Sequence, residues 1–328
     1  MNKQVKKWLA GISIPQEYVC LGLQDVAETL TISLTFRERE DSIDVTRQHV
    51  FLGYKPLLMA IVLTKAEETI FNRTDVCLSF SNKKFELNKT WNGFPSDKNG
   101  AAKLSLSKID QRNLGDSKIV FYRGGEGQHF FISFWHQRVN NLWEQLRRKP
   151  QGNVGLEGNL YEQVRIAYSI PRLISMITVF DGTLMNLFPT DLHGMAGTDF
   201  YLGSLRIDGE ACQQVEQQKR IVISEVDFSD YRRAYALGKQ HMKPMNSPSE
   251  FDLNEQVSAT FKFPLPANVG KYRELEVIDH LDAGIHRIFI YKIIRDQSVR
   301  NFNPLGHIHS YYAQWRNDQG LTTKYLFR

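Results

Sequence analysis

The sequence predicts a mainly β fold, a β-barrel with a few helices, organised as two tandem halves. Two observations predict it: short runs of β-branched and aromatic residues with turn-forming flanks dominate the chain, and helical periodicity is confined to a few segments. Strands without regularly alternating helices favour an all-β or α+β barrel over a parallel βαβ sheet. The 328 residues, 42% hydrophobic and 23% charged, supply ample material for a core and exclude a disordered chain.

Predicted strands follow one another in both halves. In the first half they cover residues 29–36, 56–63, 76–80, 118–122 and 129–135. In the second half they cover residues 173–180, 200–206, 221–226, 274–278 and 287–294. Three helices are predicted between the strands. The first carries Val139, Leu142, Trp143 and Leu146 on one apolar face before a basic run and Pro150. The others span residues 208–219, with Asp208 as the N-cap, and residues 229–238.

Charge and cysteine content exclude several classes of protein. The net charge of +5, from 41 Lys and Arg against 36 Asp and Glu, is too mild to indicate a nucleic-acid partner. Cys20, Cys77 and Cys212 show no disulfide-like spacing, which indicates a reducing compartment. The apolar run 8–14 is too short for a signal sequence, and no uncharged stretch approaches the roughly 20 residues of a membrane span. We expect a cytoplasmic protein with no nucleic-acid and no membrane partner.

An internal repeat relates the two halves. Residues 30–36 match residues 173–180, and residues 56–63 match residues 199–206, both at an offset of 143. A Gly-x-His run at 127–134 matches a second such run at 284–291, at an offset of 157. The preserved order predicts a diverged duplication. The polar segment 151–159 predicts a boundary between one domain at 1–150 and another at 151–328.

Four stretches of the second half resemble the flavin reductase-like family. They are residues 169–178 (SIPRLISMIT), 181–188 (DGTLMNLF), 284–290 (GIHRIFI), and 304–307 (PLGH) with Tyr311 and Tyr312. The resemblance covers residues 161–328 and implies a split barrel that binds FMN. Because two such barrels pair in the family, it also implies that the two halves form a pseudo-dimer of tandem split barrels within one chain, the first half being a degenerate copy.

The resemblance further implies a flavin site in the second half. A flavin phosphate needs hydroxyl, amide and cationic donors, and the ring system needs an apolar or aromatic wall. The implied cofactor-binding residues are Asn186, Phe188, Thr190, Arg206 and His286, with Arg206 as the phosphate cation and Lys219 and Arg220 as its alternatives. Asp191 and Glu210 add carboxylates that oppose phosphate binding unless Arg206 offsets them.

The implied activity is that of an NAD(P)H-dependent flavin oxidoreductase, which transfers hydride to flavin N5. FMN is the implied cofactor, with FAD as the alternative, and NAD(P)H is the co-substrate; no catalytic side chain and no metal are predicted. Two alternatives stay open: a non-catalytic split-barrel binding or scaffold protein that has lost the flavin, and a haem-binding barrel that uses His307 and His309. In the first half, residues 44–49 and Lys65 occupy the matching positions, without the Asn-x-Phe-Pro-Thr pattern. A further homodimer also stays open.

Overall fold

The structure, a computed structural model, describes residues 17–26, 29–36, 39–64, 74–81, 100–146 and 155–326. Most elements of the first half are strands because short apolar runs alternate with turn residues. They are β1 (Tyr18–Gly22), β2 (Thr31–Phe36), β3 (Arg39–Asp44), β4 (His49–Gly53), β5 (Leu58–Thr64), β6 (Asp75–Ser81), β7 (Gly100–Leu114) and β8 (Ser117–His129). Two helices follow, α1 (Phe134–Leu146) and α2 (Leu160–Ala167).

The second half repeats this succession with more helix between its strands. Its strands are β9 (Arg172–Leu173), β10 (Ser175–Phe180), β11 (Met185–Thr190), β12 (His193–Met195), β13 (Phe200–Arg206), β14 (Arg220–Val226), β15 (Leu253–Val257), β16 (Pro264–Pro266), β17 (Val269–Ala283), β18 (His286–Ser298) and β19 (Leu305–His309). Its helices are α3 (Glu210–Gln218), α4 (Tyr231–Ala236) and α5 (Ser310–Asp318). None of the helices in the described ranges is long and apolar enough to cross a membrane.

The two halves carry sheets with the same strand order. The first seven-stranded sheet runs β3-β2-β6-β7-β8-β5-β4, and the second runs β11-β10-β14-β17-β18-β13-β12. All neighbouring strands in both sheets are antiparallel. Each strand of one order therefore has a counterpart at the same place in the other. The predicted fold class, mainly β with two tandem half-barrels, is confirmed.

Strand pairing corrects the register of the predicted repeat. Thr35 on β2 pairs with Cys77 on β6, and Thr178 on β10 pairs with Val222 on β14. Thr35 and Thr178 are therefore equivalent, which agrees with the predicted offset of 143 between β2 and β10. Thr64 faces Ser117 as Arg206 faces His286, so that β5 and β13 are offset by 142. The match of the run at 127–134 with the run at 284–291 is wrong.

The correct match for that hairpin comes from its turns. The β7–β8 turn contains Gly115 with φ of 58°, and the β17–β18 turn contains Gly284 with φ of 59°. Ser117 and His286 begin the strands that follow, which makes the offset 169. The mismatch arose because the glycines at 124–127 resemble a turn, whereas β8 continues through them to His129. For the same reason the predicted strand at 129–135 is wrong, since α1 already begins at Phe134.

A shared apolar core joins the two halves. Strand β5 reads LMAIVLT and has six buried residues in succession, because both of its faces are covered. Met59, Ile61 and Leu63 face the core of the first sheet. The alternate residues face a second cluster, in which Leu58, Ala60 and Val62 meet residues of the second half, namely Ala196, Leu202, Ile288 and Ile290. A strand alternates its side chains between two faces, so a continuous apolar run is what such a position requires.

The two ends of the chain are also linked. Strand β1 pairs with β19, and β19 pairs with β9, so residues from the start and the end of the chain share one small sheet. Helix α2 packs on the first sheet, where Asn159 exchanges two hydrogen bonds with the backbone of Gly127. The predicted domain boundary at 150/151 lies outside the described residues and stays a prediction, as does the role of the first 16 residues.

Two helix predictions are refined at their termini. Helix α3 begins at Glu210 with Gly209 as its N-cap, so Asp208 is not the cap that the sequence predicted. The Asp208 side chain is instead held by Arg206, at 2.6 Å and 2.9 Å. In the 229–238 region, a short 3₁₀ turn (Phe228–Asp230) precedes the helix, which spans Tyr231–Ala236.

Candidate functional site

Asn186 is a structural cross-link. It lies on β11 and is 1% exposed. Its amide nitrogen contacts Oε1 of Gln214 at 2.8 Å and the carbonyl oxygens of Gln240 and Lys243 at 3.0 Å and 3.2 Å. These contacts tie β11 to helix α3 and to the turn after residue 239. The amide hydrogens of Asn186 are therefore engaged within the protein.

Phe188 is a core residue. It lies two positions after Asn186 on β11, so both side chains project from the same face of the strand. Phe188 is fully buried and belongs to the cluster that includes Tyr201 and Phe289. The structure thus separates these two predicted cofactor residues from any open surface.

Thr190 ends β11 at a partly exposed position. Its hydroxyl oxygen accepts a hydrogen bond from the backbone N–H of Leu192 at 3.3 Å. The carbonyl of Leu192 in turn accepts from the N–H of Ser204 at 2.9 Å. This chain of contacts connects Thr190 to the end of β13, where Arg206 lies.

Arg206 and His286 are direct neighbours across β13 and β18. The Arg206 side chain is 19% exposed and forms a two-point ion pair with Asp208, whose side chain is 62% exposed. The hydrogen bond from Arg206 lowers the pKa of the Asp208 carboxyl. Since the guanidinium already holds one carboxylate, any other anion at this point would compete with Asp208.

His286 is buried and neutral. Its Nε2 accepts from the backbone N–H of Tyr54 at 3.4 Å, which assigns the ring proton to Nδ1, 3.3 Å from Oγ of Ser204. Burial, assisted by the positive charge of Arg206, lowers the pKa of His286 to about 4. The ring therefore adds no positive charge to the site at neutral pH.

Tyr54 brings the first half into this region. Its ring meets that of His286 edge to face, with centroids 4.9 Å apart and an interplanar angle of 80°. Burial raises the pKa of Tyr54, and the negative charge of Asp191 acts in the same direction. We call Tyr54, Arg206, Asp208 and His286 the junction, because it joins the β4–β5 hairpin of one half to the strand ends of the other.

The junction has a counterpart elsewhere in the molecule. A Cβ atom added to Gly53 would lie 2.7 Å from Cδ2 of His286, and one added to Gly197 would lie 2.7 Å from Oγ of Ser117. Gly53 ends β4, and Gly197 lies two residues after the end of β12, at the equivalent position of the other half. Ser117 and His286 are also equivalents. Each half therefore places a hairpin against the strand start of the other, but an imidazole stands in one copy and a hydroxyl in the other.

Asp191 lies at the centre of a polar chain behind the junction. Its Oδ2 accepts from the hydroxyl of Tyr168 at 2.6 Å and from Nε2 of His307 at 2.7 Å. The other ring nitrogen of His307 is 3.1 Å from the hydroxyl of Tyr235. Burial opposes ionisation of Asp191, but these hydrogen bonds, that from His307 foremost, hold its pKa at about 2. The carboxylate is thus satisfied within the protein.

His307 and His309 do not form an open pair. The centre of the Tyr18 ring, on the neighbouring strand β1, lies 5.5 Å from the centre of each imidazole. His309 uses Nδ1 to accept the N–H of Tyr311 at 3.1 Å, and burial lowers its pKa well below the usual value. In the described part of the chain, no group of three or more metal-ligating side chains converges. The geometry does not favour the haem alternative.

A repeated pair of histidines escaped the sequence analysis. His49 faces Ile61 on β5, and His193 faces Gly203 on β13, which makes the two histidines equivalent. Both are partly buried, and the Nε2 atoms of both are shielded without a hydrogen-bond partner. The available signal was a repeated Thr-x-x-His motif at residues 46–49 and 190–193.

The remaining predicted cations lie apart from the junction. Lys219 is the C-cap residue that follows α3, with φ of 58°. Arg220 begins β14, where it pairs with Glu276 at 3.3 Å. Lys65 lies outside the described residues, and the residue that faces the start of β8 in place of Arg206 is Thr64. Of the five predicted cofactor residues, the structure brings Arg206 and His286 together, links Thr190 to them through Leu192 and Ser204, and sets Asn186 and Phe188 apart.

Comparison with known proteins gives structural matches only. No family model and no curated protein matches the chain. Among solved structures, the NADH:FAD oxidoreductase SgcE6 of Streptomyces globisporus C-1027 is 14% identical, with 48% of this chain and 94% of that one covered and a TM-score of 0.40. The flavin reductase PheA2 is 14% identical, with 53% and 99% covered and a TM-score of 0.39. An FMN-binding protein from Thermus thermophilus is 15% identical, with 47% and 82% covered and a TM-score of 0.35.

About half of this chain therefore matches most of the length of flavin reductases and FMN-binding proteins, as the sequence resemblance led us to expect.

Proposed function

We propose that the protein binds a flavin at the junction and acts as a flavin-dependent oxidoreductase with a nicotinamide as co-substrate. The observation that carries the proposal is the placement of Tyr54 from one half against His286, beside Arg206 from the other half. An aromatic surface next to a cation, at the seam of two half-barrels, offers what a phosphorylated ring system needs.

The residues of the junction fit a phosphorylated flavin in part. Arg206 is the cation for the phosphate. The partly exposed hydroxyl of Thr190, which is linked to β13 through Leu192 and Ser204, is the proposed donor. Tyr54 supplies the aromatic wall in place of Phe188, which is buried in the core. Asp208 must release Arg206 for a phosphate to bind, and its side chain is exposed enough to turn into solvent.

A bound flavin would supply the redox chemistry, because its ring accepts hydride from a nicotinamide. The protein's own residues would hold and orient the rings and exclude water, which requires no acid or base. Neutral His286 keeps the N–H of Tyr54 satisfied and so fixes the hairpin that carries the aromatic ring. FMN is the proposed cofactor, with FAD as the alternative.

The proposed assembly needs no second chain, because both sides of the junction come from one polypeptide. Cys20, Cys77 and Cys212 form no disulfide, which supports the proposal of a cytoplasmic location. A further homodimer is not required for this site.

One observation favours a second candidate function, a split-barrel protein without a flavin. The two hydrogen bonds from Arg206 to Asp208 already neutralise the predicted phosphate cation, and the amide hydrogens of Asn186 are engaged inside the protein. In that case the junction is a structural contact between the halves, and the protein acts as a binding or scaffold module.

Titration with FMN and riboflavin tests the proposal, because only FMN carries a phosphate. We expect Arg206→Ala to weaken FMN binding roughly tenfold or more, the worth of a charge-assisted contact, and to leave riboflavin binding unchanged. Asp208→Asn should tighten FMN binding, because it removes the competing carboxylate, and should not affect riboflavin.

The matched control is Asp282→Asn. Asp282 also forms a two-point ion pair with an arginine, Arg287, at 2.7 Å through each oxygen. Arg287 follows His286 on β18, so its side chain projects from the opposite face of the sheet. Its replacement should leave the affinity for both flavins unchanged. A wild-type protein that binds neither flavin, with no flavin absorption after purification, would support the second candidate instead.

A further inference from the structure

A cavity of about 220 Å³ lies beside helix α4, over one face of the second sheet. We call it the α4 cavity. Its apolar lining comes from the sheet and from the segments that cover the sheet, namely Met176, Leu187, Val226, Ala234, Leu237 and Phe251. None of its described lining residues belongs to the junction. An apolar cavity of roughly 150 Å³ is enough to hold benzene, so the α4 cavity has room for one aromatic ring with a short side chain.

Two buried hydroxyl groups lie on the same face of the sheet as this lining. Ser224 pairs with Met176 across β14 and β10, so their side chains project to the same side. Thr178 pairs in the same way with Leu187 across β10 and β11. Both hydroxyl residues are 0% exposed, and neither hydroxyl oxygen has a hydrogen-bond partner among the described residues. Because an unsatisfied buried hydroxyl costs free energy, a polar group on a ligand that reaches this face would gain by bonding to it.

The charged residues that line the α4 cavity are mainly acidic. Asp230, Glu250 and Asp252 contribute three carboxylates, and Arg233 contributes one guanidinium, which leaves a formal charge of −2 in the described lining. Arg233 is 2.6 Å from Asp252 and 3.8 Å from Asp230, so carboxylates already hold this cation. The side chains of Arg233 and Asp252 are 46% and 59% exposed, which places the charged end of the cavity at the solvent. This end therefore favours a cation over an anion.

We propose that the α4 cavity binds a single-ring aromatic amine that carries a hydroxyl group on its ring. The ring would pack on the apolar lining, and the ring hydroxyl would bond to Ser224 and Thr178. The ammonium group would meet the carboxylates at the exposed end. Each of the three features of the cavity thus has its counterpart in the ligand. This site is separate from the flavin site and does not depend on the proposed function.

Other small ligands fit the α4 cavity less well. The carboxylate of an aromatic acid would need Arg233, which already holds Asp252, and it would be repelled by the remaining acidic side chains. A neutral ring would fill the apolar volume but leave the negative charge and the two buried hydroxyls without a partner. The combination of charge and buried polar groups therefore favours the hydroxylated amine.

Isothermal titration calorimetry of the full chain with tyramine tests this proposal. We expect tyramine to bind roughly tenfold more tightly than tyrosol, in which a neutral hydroxyl replaces the amine, because only tyramine is attracted by the carboxylates. Phenethylamine lacks the ring hydroxyl and should bind roughly fivefold more weakly than tyramine, the worth of one hydrogen bond. Hydroxyphenylpropionate, which carries a carboxylate in place of the amine, should show no binding.

Two sets of variants locate the contacts. Glu250→Gln combined with Asp252→Asn changes two exposed side chains and should weaken tyramine binding roughly tenfold, while tyrosol binding stays unchanged. Its control is Glu276→Gln, on β17, which should bind both like the wild type. Ser224→Ala should remove the advantage of tyramine over phenethylamine. Its control is Ser79→Ala, since Ser79 faces Ser33 on β2 as Ser224 faces Met176 on β10, and its hydroxyl is also shielded without a partner.

Three results would overturn the proposal. The first is a wild type that binds no amine, or that binds tyrosol as tightly as tyramine. The second is an unchanged tyramine affinity in the Glu250→Gln, Asp252→Asn variant, which circular dichroism should show to be folded. The third is a preference for hydroxyphenylpropionate, which would assign the cavity to anions through Arg233. Tyr54→Ala should leave tyramine binding unchanged, and this separates the α4 cavity from the junction.

Discussion

His49 and His193 occupy the same place in the two repeated sheets, and both are held as neutral rings. Burial lowers the pKa of His49 to about 3 and that of His193 to about 4, from an ordinary value of 6.5. The nearby Arg172 adds to the effect at His49, and Arg273 does so at His193, where Asp191 opposes it. Both of the matching sheets thus carry a histidine that resists protonation at the same position.

We therefore expect stability to fall between pH 7 and pH 4. The unfolded chain takes up protons at these two positions near pH 6.5, whereas the folded protein does so only near pH 3 to 4. Stability from this source is fully present above about pH 6.5 and is lost as the pH falls towards 4. Urea unfolding at pH 7.5 and at pH 5 measures how far the free energy of unfolding drops between the two pH values. This drop should be about 1 to 2 kcal/mol smaller in His193→Gln than in the wild type. An identical loss in wild type and variant would contradict the buried neutral ring.

Asp191→Asn should destabilise the protein through the polar chain. The change removes a carboxylate that accepts from Tyr168 and His307, and hydrogen bonds to a charged group contribute about 2 kcal/mol. The ionised Asp191 carboxylate contributes fully to stability above about pH 4. This contribution is lost as the pH falls towards 2, because the pKa of Asp191 in the folded protein is held at about 2. Chemical denaturation at pH 7 measures the effect. Asp199→Asn, at an exposed position, is the control and should change stability by less than about 0.5 kcal/mol.

Gly53→Ala should disturb the contact between the halves. The new methyl group would overlap the His286 ring, and overpacking of this kind costs about 1 to 3 kcal/mol. A double-mutant cycle checks the cause. In a His286→Ala background the same glycine substitution should cost much less, because the ring it meets is gone. Equal costs in both backgrounds would show that the hairpin does not rest on His286.

Asn186→Ala separates a structural role from a cofactor role. We expect a loss of about 2 kcal/mol in the free energy of unfolding, because the cross-link to Gln214 and two carbonyls disappears. The affinity of the folded protein for FMN should stay unchanged. Thr190→Ala should show the reverse, with weaker FMN binding and little change in stability. A strong loss of FMN binding in Asn186→Ala alone would restore the assignment made from the sequence.

The sequence predicts the architecture better than the site. Apolar runs such as Leu58–Thr64 are recognisable because strand periodicity and turn residues are local signals. The register of the repeat depends on which glycine makes the turn, and local composition does not distinguish Gly115 from the glycines at 124–127. Asn186 and Phe188 match a family pattern, but their burial depends on helix α3 and distant loops. Tyr54 was missed because its contact with His286 joins residues that are 232 positions apart.

The affinity of FMN for Tyr54→Ala tests the central claim most directly, because Tyr54 is the contribution of the first half to the proposed site. Thr198, at the equivalent position of the other hairpin, provides the control as Thr198→Ala. The account predicts that Tyr54→Ala binds FMN roughly tenfold more weakly, since a stacked aromatic contact contributes about 1 to 1.5 kcal/mol, while Thr198→Ala binds like the wild type. Unchanged FMN affinity in Tyr54→Ala, with the flavin bound normally by the wild type, would contradict a flavin site at the junction.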